Sequence, residues 1–201
     1  REQDQTLVKY EAQMYSKEIN SFSRNEIVNF NRKINIVSQL NHPAILKFIG
    51  YSSTDLDKNL KPVLITEICN DFFNSYFTHV NTKLFLNGRN KSGDDTERLI
   101  IAYGIASAMA YLHSHNIIHR DLKPQNIFLD KRHYPKITGF DIAKIIKDGS
   151  GERSEKIKGT PVYLAPEVYL NHEYSKASDV YSFSMILYEL FTTKKPFSNI
   201  N

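Results

Sequence analysis

The chain has 201 residues, 41% hydrophobic and 24% charged, which suffices for the core of one or two globular domains and excludes a disordered or fibrous protein. Its formal charge of +4 carries no long run of one sign, so a solvated surface accounts for it and no nucleic-acid partner is expected. A single cysteine, Cys69, rules out an internal disulfide and points to a reducing, cytoplasmic compartment, and the longest apolar stretch, Leu99 to Leu112, is too short to span a bilayer.

Residues Leu7 to Tyr15 read as a strand. Ser23 with Glu26 three residues later has the form of a capping box, which satisfies free backbone N–H groups at a helix start. Behind it Ile27, Phe30, Ile34, Val37 and Leu40 recur at helical spacing as a buried stripe, with His42-Pro43 as the stop. Strands are expected at Ile45 to Tyr51 and Pro62 to Ile68, separated by a polar turn over Ser52 to Lys61. Aromatic, irregular residues 70 to 86 and a Gly/Asn/Ser loop follow. A long helix is then expected from about Thr96 to His113, capped by Asp95 or Thr96, with Leu99, Tyr103, Ala106, Met109, Ala110 and Leu112 as its buried stripe. The pattern is a small strand-and-one-helix half joined near Cys69 to Phe72 to a mostly helical half.

The most informative segment is "IIHRDLKPQNIFLD", residues 117 to 130. It resembles the catalytic loop of eukaryotic protein kinases, whose pattern supplies a catalytic Asp and a metal-binding Asn. Phosphoryl transfer needs little covalent help, but it does need an oriented nucleophile, a neutralised transferring group and a held metal. The resemblance implies that Asp121 accepts the proton of a substrate hydroxyl, Lys123 offsets charge on the γ-phosphate and Asn126 ligates Mg²⁺, with ATP as phosphate donor. Lys123-Pro124 is similar to the Ser/Thr type. "GTPVYLAPE", Gly159 to Glu167, resembles the end of the activation segment. "SDVYSFSMILYELFTTKKPF" resembles the helix after it, with Asp179 anchoring the catalytic loop. "PVLITEIC" resembles the strand entering the hinge, with Thr66 as gatekeeper and Glu67 to Cys69 beside adenine. "LNHPAILKFIGYS" has the style of the tyrosine-kinase-like group. Ala12, Gln13 and Phe128 fall at nucleotide-contacting places. The implied architecture is an α+β, bilobal kinase-like fold: residues 1–69 a partial β-rich lobe without its first strands and Gly-rich loop, and 70–201 a partial helical lobe without its last helices, together one domain.

The departures bear on activity. The helix position that holds Glu in the family is Lys33, and the strand position that holds Lys falls on Gln13 or Met14, with Lys9 fitting only through a long connection. Lys33 facing Gln13 would neither close that helix nor grip a phosphate in the usual way. The family's Asp-Phe-Gly triplet reads Gly139-Phe140-Asp141. Asp141 would have to replace a metal ligand two residues away, about 6–7 Å along an extended segment, for an ion that demands ligands at about 2.0–2.1 Å. Glu167, buried without the Arg that pairs with it in the family, would carry an uncompensated charge. Val37, Phe48, His119 and Phe140 map to the apolar column joining the lobes. Ser150, Ser154 and Thr160 lie where the family is phosphorylated, and Arg120 is placed to receive that phosphate. Packing positions persist while phosphate and metal ligands do not. The resemblance therefore implies a pseudokinase-like signalling domain with a protein partner, or else an active Ser/Thr kinase with a protein substrate and displaced ligands.

Overall fold

The computed structural model describes residues 9–69, 71–73, 92–147 and 151–198. A small strand-rich N-terminal part precedes a helical C-terminal part, an α+β arrangement. Strand β1, Tyr10–Met14, pairs antiparallel with β3, Val63–Glu67, and β2, Phe48–Ser52, pairs antiparallel with the other side of β3. The register sets Gln13 opposite Leu64 and Glu11 opposite Thr66. The expected first two strands are thus found in shorter form: the second begins at Phe48 because Ile45 instead makes a single parallel bridge to Ile137.

Helix α1, Arg24–Val37, starts at the capping box read from the sequence: Glu26 N–H donates to Ser23 Oγ, and Ser23 N–H donates to Glu26. It ends at Val37, before His42-Pro43, with Ser38 as its cap. Its buried face is Phe30, Lys33, Ile36 and Val37, whereas Ile27 is 42% exposed. The stripe is therefore turned from the expected one by a charged residue, and a partner for Lys33 must exist. Phe30 packs edge-on to Tyr15, ring centroids 5.3 Å apart, which fastens the helix to the end of β1.

Helix α2 spans Ser92–Ser114 and so starts before the expected Asp95 or Thr96 cap. Its buried side is Ile101, Ile105, Ala108, Met109 and Leu112, while Leu99 and Tyr103 are 59% and 71% exposed. The helix is apolar on nearly every side, so periodicity alone could not choose the face; the close approach of β7, Pro135–Ile137, does. A Cβ on Gly104 would lie 2.4 Å from the Pro135 ring, so only glycine permits that approach. Strand β4, Asp71–Phe72, precedes the helix and pairs with β6, Ile127–Leu129; β5, Ile117–Ile118, and β6 lie between the helix and β7 in the chain, and β6 pairs with β7. Short strands β8, Lys144–Ile145, β9, Glu152–Arg153, and β10, Glu173–Tyr174, flank α3, Pro166–Asn171, and the chain closes on α4, Lys176–Thr192.

One core crosses the boundary between the two parts. Ile36, Val37 and Ile45 pack with Ile105, Leu112, Ile127, Ile137 and Ile186. Each fully buried aliphatic side chain of this kind stabilises by about 1.5–3 kcal/mol. Ile137 also donates to Ala44 O and accepts from Leu46 N–H, so the strand leading to residues 139–141 is bonded to the N-terminal part.

Candidate active site

The turn after β5 is held from below. Asp179, 2% exposed in the first turn of α4, accepts the backbone N–H of Arg120 at 2.9 Å and of His119 at 2.8 Å, and its Oδ2 lies 3.0 Å from His113 Nε2. Arg120 has φ of 71°, a left-handed conformation that costs a non-glycine residue about 1–2 kcal/mol. The two carboxylate bonds hold that conformation in place. His119 Nε2 meets Thr138 O at 2.8 Å and its ring lies 5.0 Å from Phe140, so the histidine is a packing group. Val37 and Phe140 are buried in the shared core and Phe48 packs against it, which brings the expected column together.

Above this base, Lys123 Nζ is 2.9 Å from Asp121 Oδ2, and Asn126 Nδ2 donates to Asp121 O at 2.7 Å and to Oδ2 at 3.1 Å. Thr160, seen in the sequence only as a candidate phosphate acceptor, closes the set: its hydroxyl donates to Asp121 Oδ1 at 3.0 Å and accepts from Lys123 Nζ at 2.7 Å. Its hydroxyl is therefore committed to the loop and not turned to Arg120. The arrangement orients one carboxylate and one ammonium in a half-open place, which suits a group that receives a proton from a hydroxyl beside a negatively charged partner.

A cleft of about 480 Å³ opens between β1, β3, β6 and the Gly139-Phe140-Asp141 triplet. Ala12, Gln13, Thr66, Phe128, Asn126 and Asp141 all line it, as the sequence implied. Gln13 faces it, whereas Met14 is 58% exposed and neither it nor Lys9 lines it. Glu67 and Cys69 lie outside the lining: the Glu67 carboxylate turns to Lys136 Nζ at 2.8 Å and to the Lys47 N–H at 2.9 Å. Burial, then the Glu67 charge, pushes the Cys69 thiol up to about 11, so it is a protonated, unreactive group.

The helix position expected neither to close that helix nor to grip a phosphate in the usual way is paired across the site. Lys33 Nζ donates to Asp141 Oδ1 at 2.7 Å and to the Tyr15 hydroxyl at 3.4 Å, and Arg32 Nη2 donates to Asp141 O at 3.2 Å. Lys33 therefore does not face Gln13 as an unpaired cation; it ties α1 to the triplet. Burial works to lower the Lys33 pKa, but the Asp141 carboxylate and then Tyr15 outweigh it, and the net shift is upward. No single-sequence signal joins residues 33 and 141, because charge alone does not reveal contact across 108 positions.

Two further expectations change. Glu167 is only partly buried, in the first turn of α3, where a carboxylate is favoured by the helix dipole, so the penalty of a buried lone charge does not arise. Arg120 is 5% exposed, stacks 4.1 Å from the Tyr174 ring centre, and leaves Nε and Nη2 without hydrogen-bond partners among the described residues. Of the three hydroxyls, Ser150 lies outside the described residues, and Ser154 is tied through its backbone to His172.

The buried carboxylate under the loop, the oriented Asp121 and the cleft beside them form one connected arrangement, and the sequence matches the protein kinase domain over residues 6–201. The chain belongs to the protein kinase domain family. Among similar proteins are the serine/threonine-protein kinase CTR1 of Arabidopsis thaliana, 34% identical over 184 residues, 90% of this chain and 21% of that protein, and the serine/threonine-protein kinase fused of Drosophila melanogaster, 33% identical over 174 residues, 86% and 20%. The dual specificity protein kinase shkD of Dictyostelium discoideum is 32% identical over 175 residues, 87% and 22%. The chain spans about a fifth of the length of these relatives. No helix among the described residues is long and apolar enough to cross a membrane.

Protein kinases generally use ATP with Mg²⁺, and the donor set here fits the metal poorly. Gly139 brings no carboxylate, and a Cβ there would lie 2.3 Å from Asn126 Cγ. Asp141 Oδ1 is taken by Lys33, and Asn126, whose amide nitrogen donates to Asp121, has only its amide oxygen to offer. Among the described residues no group of three or more His, Cys, Asp and Glu side chains is arranged to hold a metal ion. For an ion that needs near-ideal octahedral oxygen geometry, this is a weak site.

Proposed function

We propose that this chain is a kinase domain whose phosphoryl transfer is impaired and which acts in signalling by holding a protein partner. The observation that carries the reading is the fate of the triplet: glycine stands at the place of the metal-binding carboxylate, and the triplet's own carboxylate, Asp141, is held by Lys33 at 2.7 Å. Removing one charge-stabilising contact commonly costs about 10²–10³ in rate, so the loss of metal, strand-Lys and helix-Glu contacts together leaves little turnover. The packed core and the Asp179 anchor preserve a rigid body, and Pro161, Val162, Tyr169, Leu170 and Phe197 line an open apolar groove on the C-terminal part, a surface suited to a protein contact. The test is incubation of the purified chain with γ-labelled ATP and protein substrates. Incorporation is expected at the level of the Asp121→Asn variant; transfer that Asp121→Asn abolishes overturns the reading.

A second reading rests on the Asp121, Lys123 and Thr160 network, which is assembled as a working loop requires. In that reading the chain is an active Ser/Thr kinase with Lys33 on phosphate and Asp141 with Asn126 on metal. Activity unaffected by Lys33→Ala and Asp141→Ala would refute it.

A further inference from the structure

Lys33 is the one cation among the described residues that line the cleft. Its side chain is 9% exposed, while that of Asp141 is 64% exposed. An ammonium has three donors; one goes to Asp141 and one to Tyr15, and the described residues supply no partner for the third. The ammonium is thus fixed by two contacts before any ligand arrives, on a residue that lines the cleft. Fixing a long side chain beforehand removes an ordering cost of about 0.5–1.5 kcal/mol from binding.

We propose that the cleft takes a nucleoside oligophosphate bare, without Mg²⁺, with Lys33 on its phosphates and Asp141 as the counter-charge that holds Lys33 in place, not as a metal ligand. In the family the gripping cation comes from a strand and its carboxylate from the helix; here the helix supplies the cation and the triplet supplies the carboxylate. The inversion explains several observations together. Gln13 brings no positive charge to the cleft, Gly139 brings no carboxylate for a metal, and Lys33 is buried on a helix face where an unpaired cation would be costly. Ala12, Leu64 and Phe128 give the cleft apolar lining beside the charged groups, so a ligand that carries both a ring and anionic oxygens fits the kinds of group present. The Glu11 and Asp141 carboxylates in the same lining repel additional negative charge, which limits the affinity for a triphosphate.

The inference is independent of whether transfer occurs, and its test reads binding alone. Thermal unfolding and direct titration of the purified chain are carried out with ATP and with adenosine, each in EDTA and in excess Mg²⁺. ATP is expected to raise Tm in EDTA, to gain nothing from Mg²⁺, and to exceed adenosine. Lys33→Met should weaken ATP about 10- to 100-fold, the range of one charge-assisted hydrogen bond, while Asp141→Asn, which loses only the positioning of Lys33, should weaken it about 2- to 10-fold, equally in EDTA and in Mg²⁺. Three results would overturn the proposal: binding that requires Mg²⁺ and fails in Asp141→Asn, adenosine matching ATP, or no response to ATP in either condition. Should Lys33→Met fail to fold, the EDTA and Mg²⁺ arms on the parent chain and on Asp141→Asn still decide the matter.

Discussion

The Lys33–Asp141 pair predicts an asymmetry that follows from burial alone. Lys33 is buried and Asp141 largely exposed, so removing each partner leaves a different residue behind. With Asp141→Asn, a buried ammonium loses its counter-charge and keeps only neutral acceptors, the Asn amide oxygen and the Tyr15 hydroxyl. A hydrogen bond to a charged group contributes about 1.5–3 kcal/mol, and the exposure of Asp141 screens the pair toward a cost of about 1–2 kcal/mol. For a chain of this size each kcal/mol moves Tm by roughly 2–4 °C, so a fall of about 2–8 °C is expected. Lys33→Met instead places a similar volume of apolar atoms in the same space and leaves Asp141 to the solvent, a change that is often neutral; less than about 1 kcal/mol is expected. The pH dependence has a definite sign. Because the Lys33 pKa is raised from 10.5 in the folded state, its contribution is complete below that value and is lost as pH rises through the higher folded one. Asp141→Asn should flatten that alkaline limb. Thermal unfolding between pH 7 and 11 checks both points, and Lys33→Met proving as damaging as Asp141→Asn would refute the burial argument.

Gly139→Ala should lower stability by about 2–4 kcal/mol, since it combines a φ of 82° with a Cβ driven onto the Asn126 amide; calorimetry showing the parent Tm would contradict the crowding. Asp179→Ala leaves the buried N–H groups of His119 and Arg120 without acceptors and should cost about 3–5 kcal/mol, with the fastest rise in amide exchange at residues 119–121. Cys69, with its thiol held near 11, should resist alkylation at pH 8 until the chain is denatured; rapid labelling of the native chain would show that the thiol is not shielded.

Much of the fold was legible because its signals are local. The Ser23–Glu26 capping box, the catalytic-loop pattern at residues 117–130 and the anchoring Asp179 each depend on short stretches whose physical reasons operate within a few residues or within one family pattern. The family and its α+β arrangement follow from them. Failures occurred where a decision belonged to packing. Helix α2 is apolar all round, so its buried face was set by β7 against Gly104 and not by periodicity. The α1 stripe passed through Lys33, which no hydropathy pattern would place inside.

The candidate site divides in the same way. From the sequence alone came the identities of the retained loop groups, Asp121, Lys123 and Asn126, and of two replaced ones, Lys33 and Gly139, while the strand position stayed open between Gln13, Met14 and Lys9 until the structure set Gln13 in the cleft. Only the tertiary structure decided that Thr160 bridges Asp121 and Lys123, that Glu67 turns away to Lys136, and that Lys33 pairs with Asp141. A residue type fixes which charges and donors are available, but an ion pair exists only where the folded backbone brings two of them within about 4 Å, and contacts 108 residues apart leave no mark on local pattern.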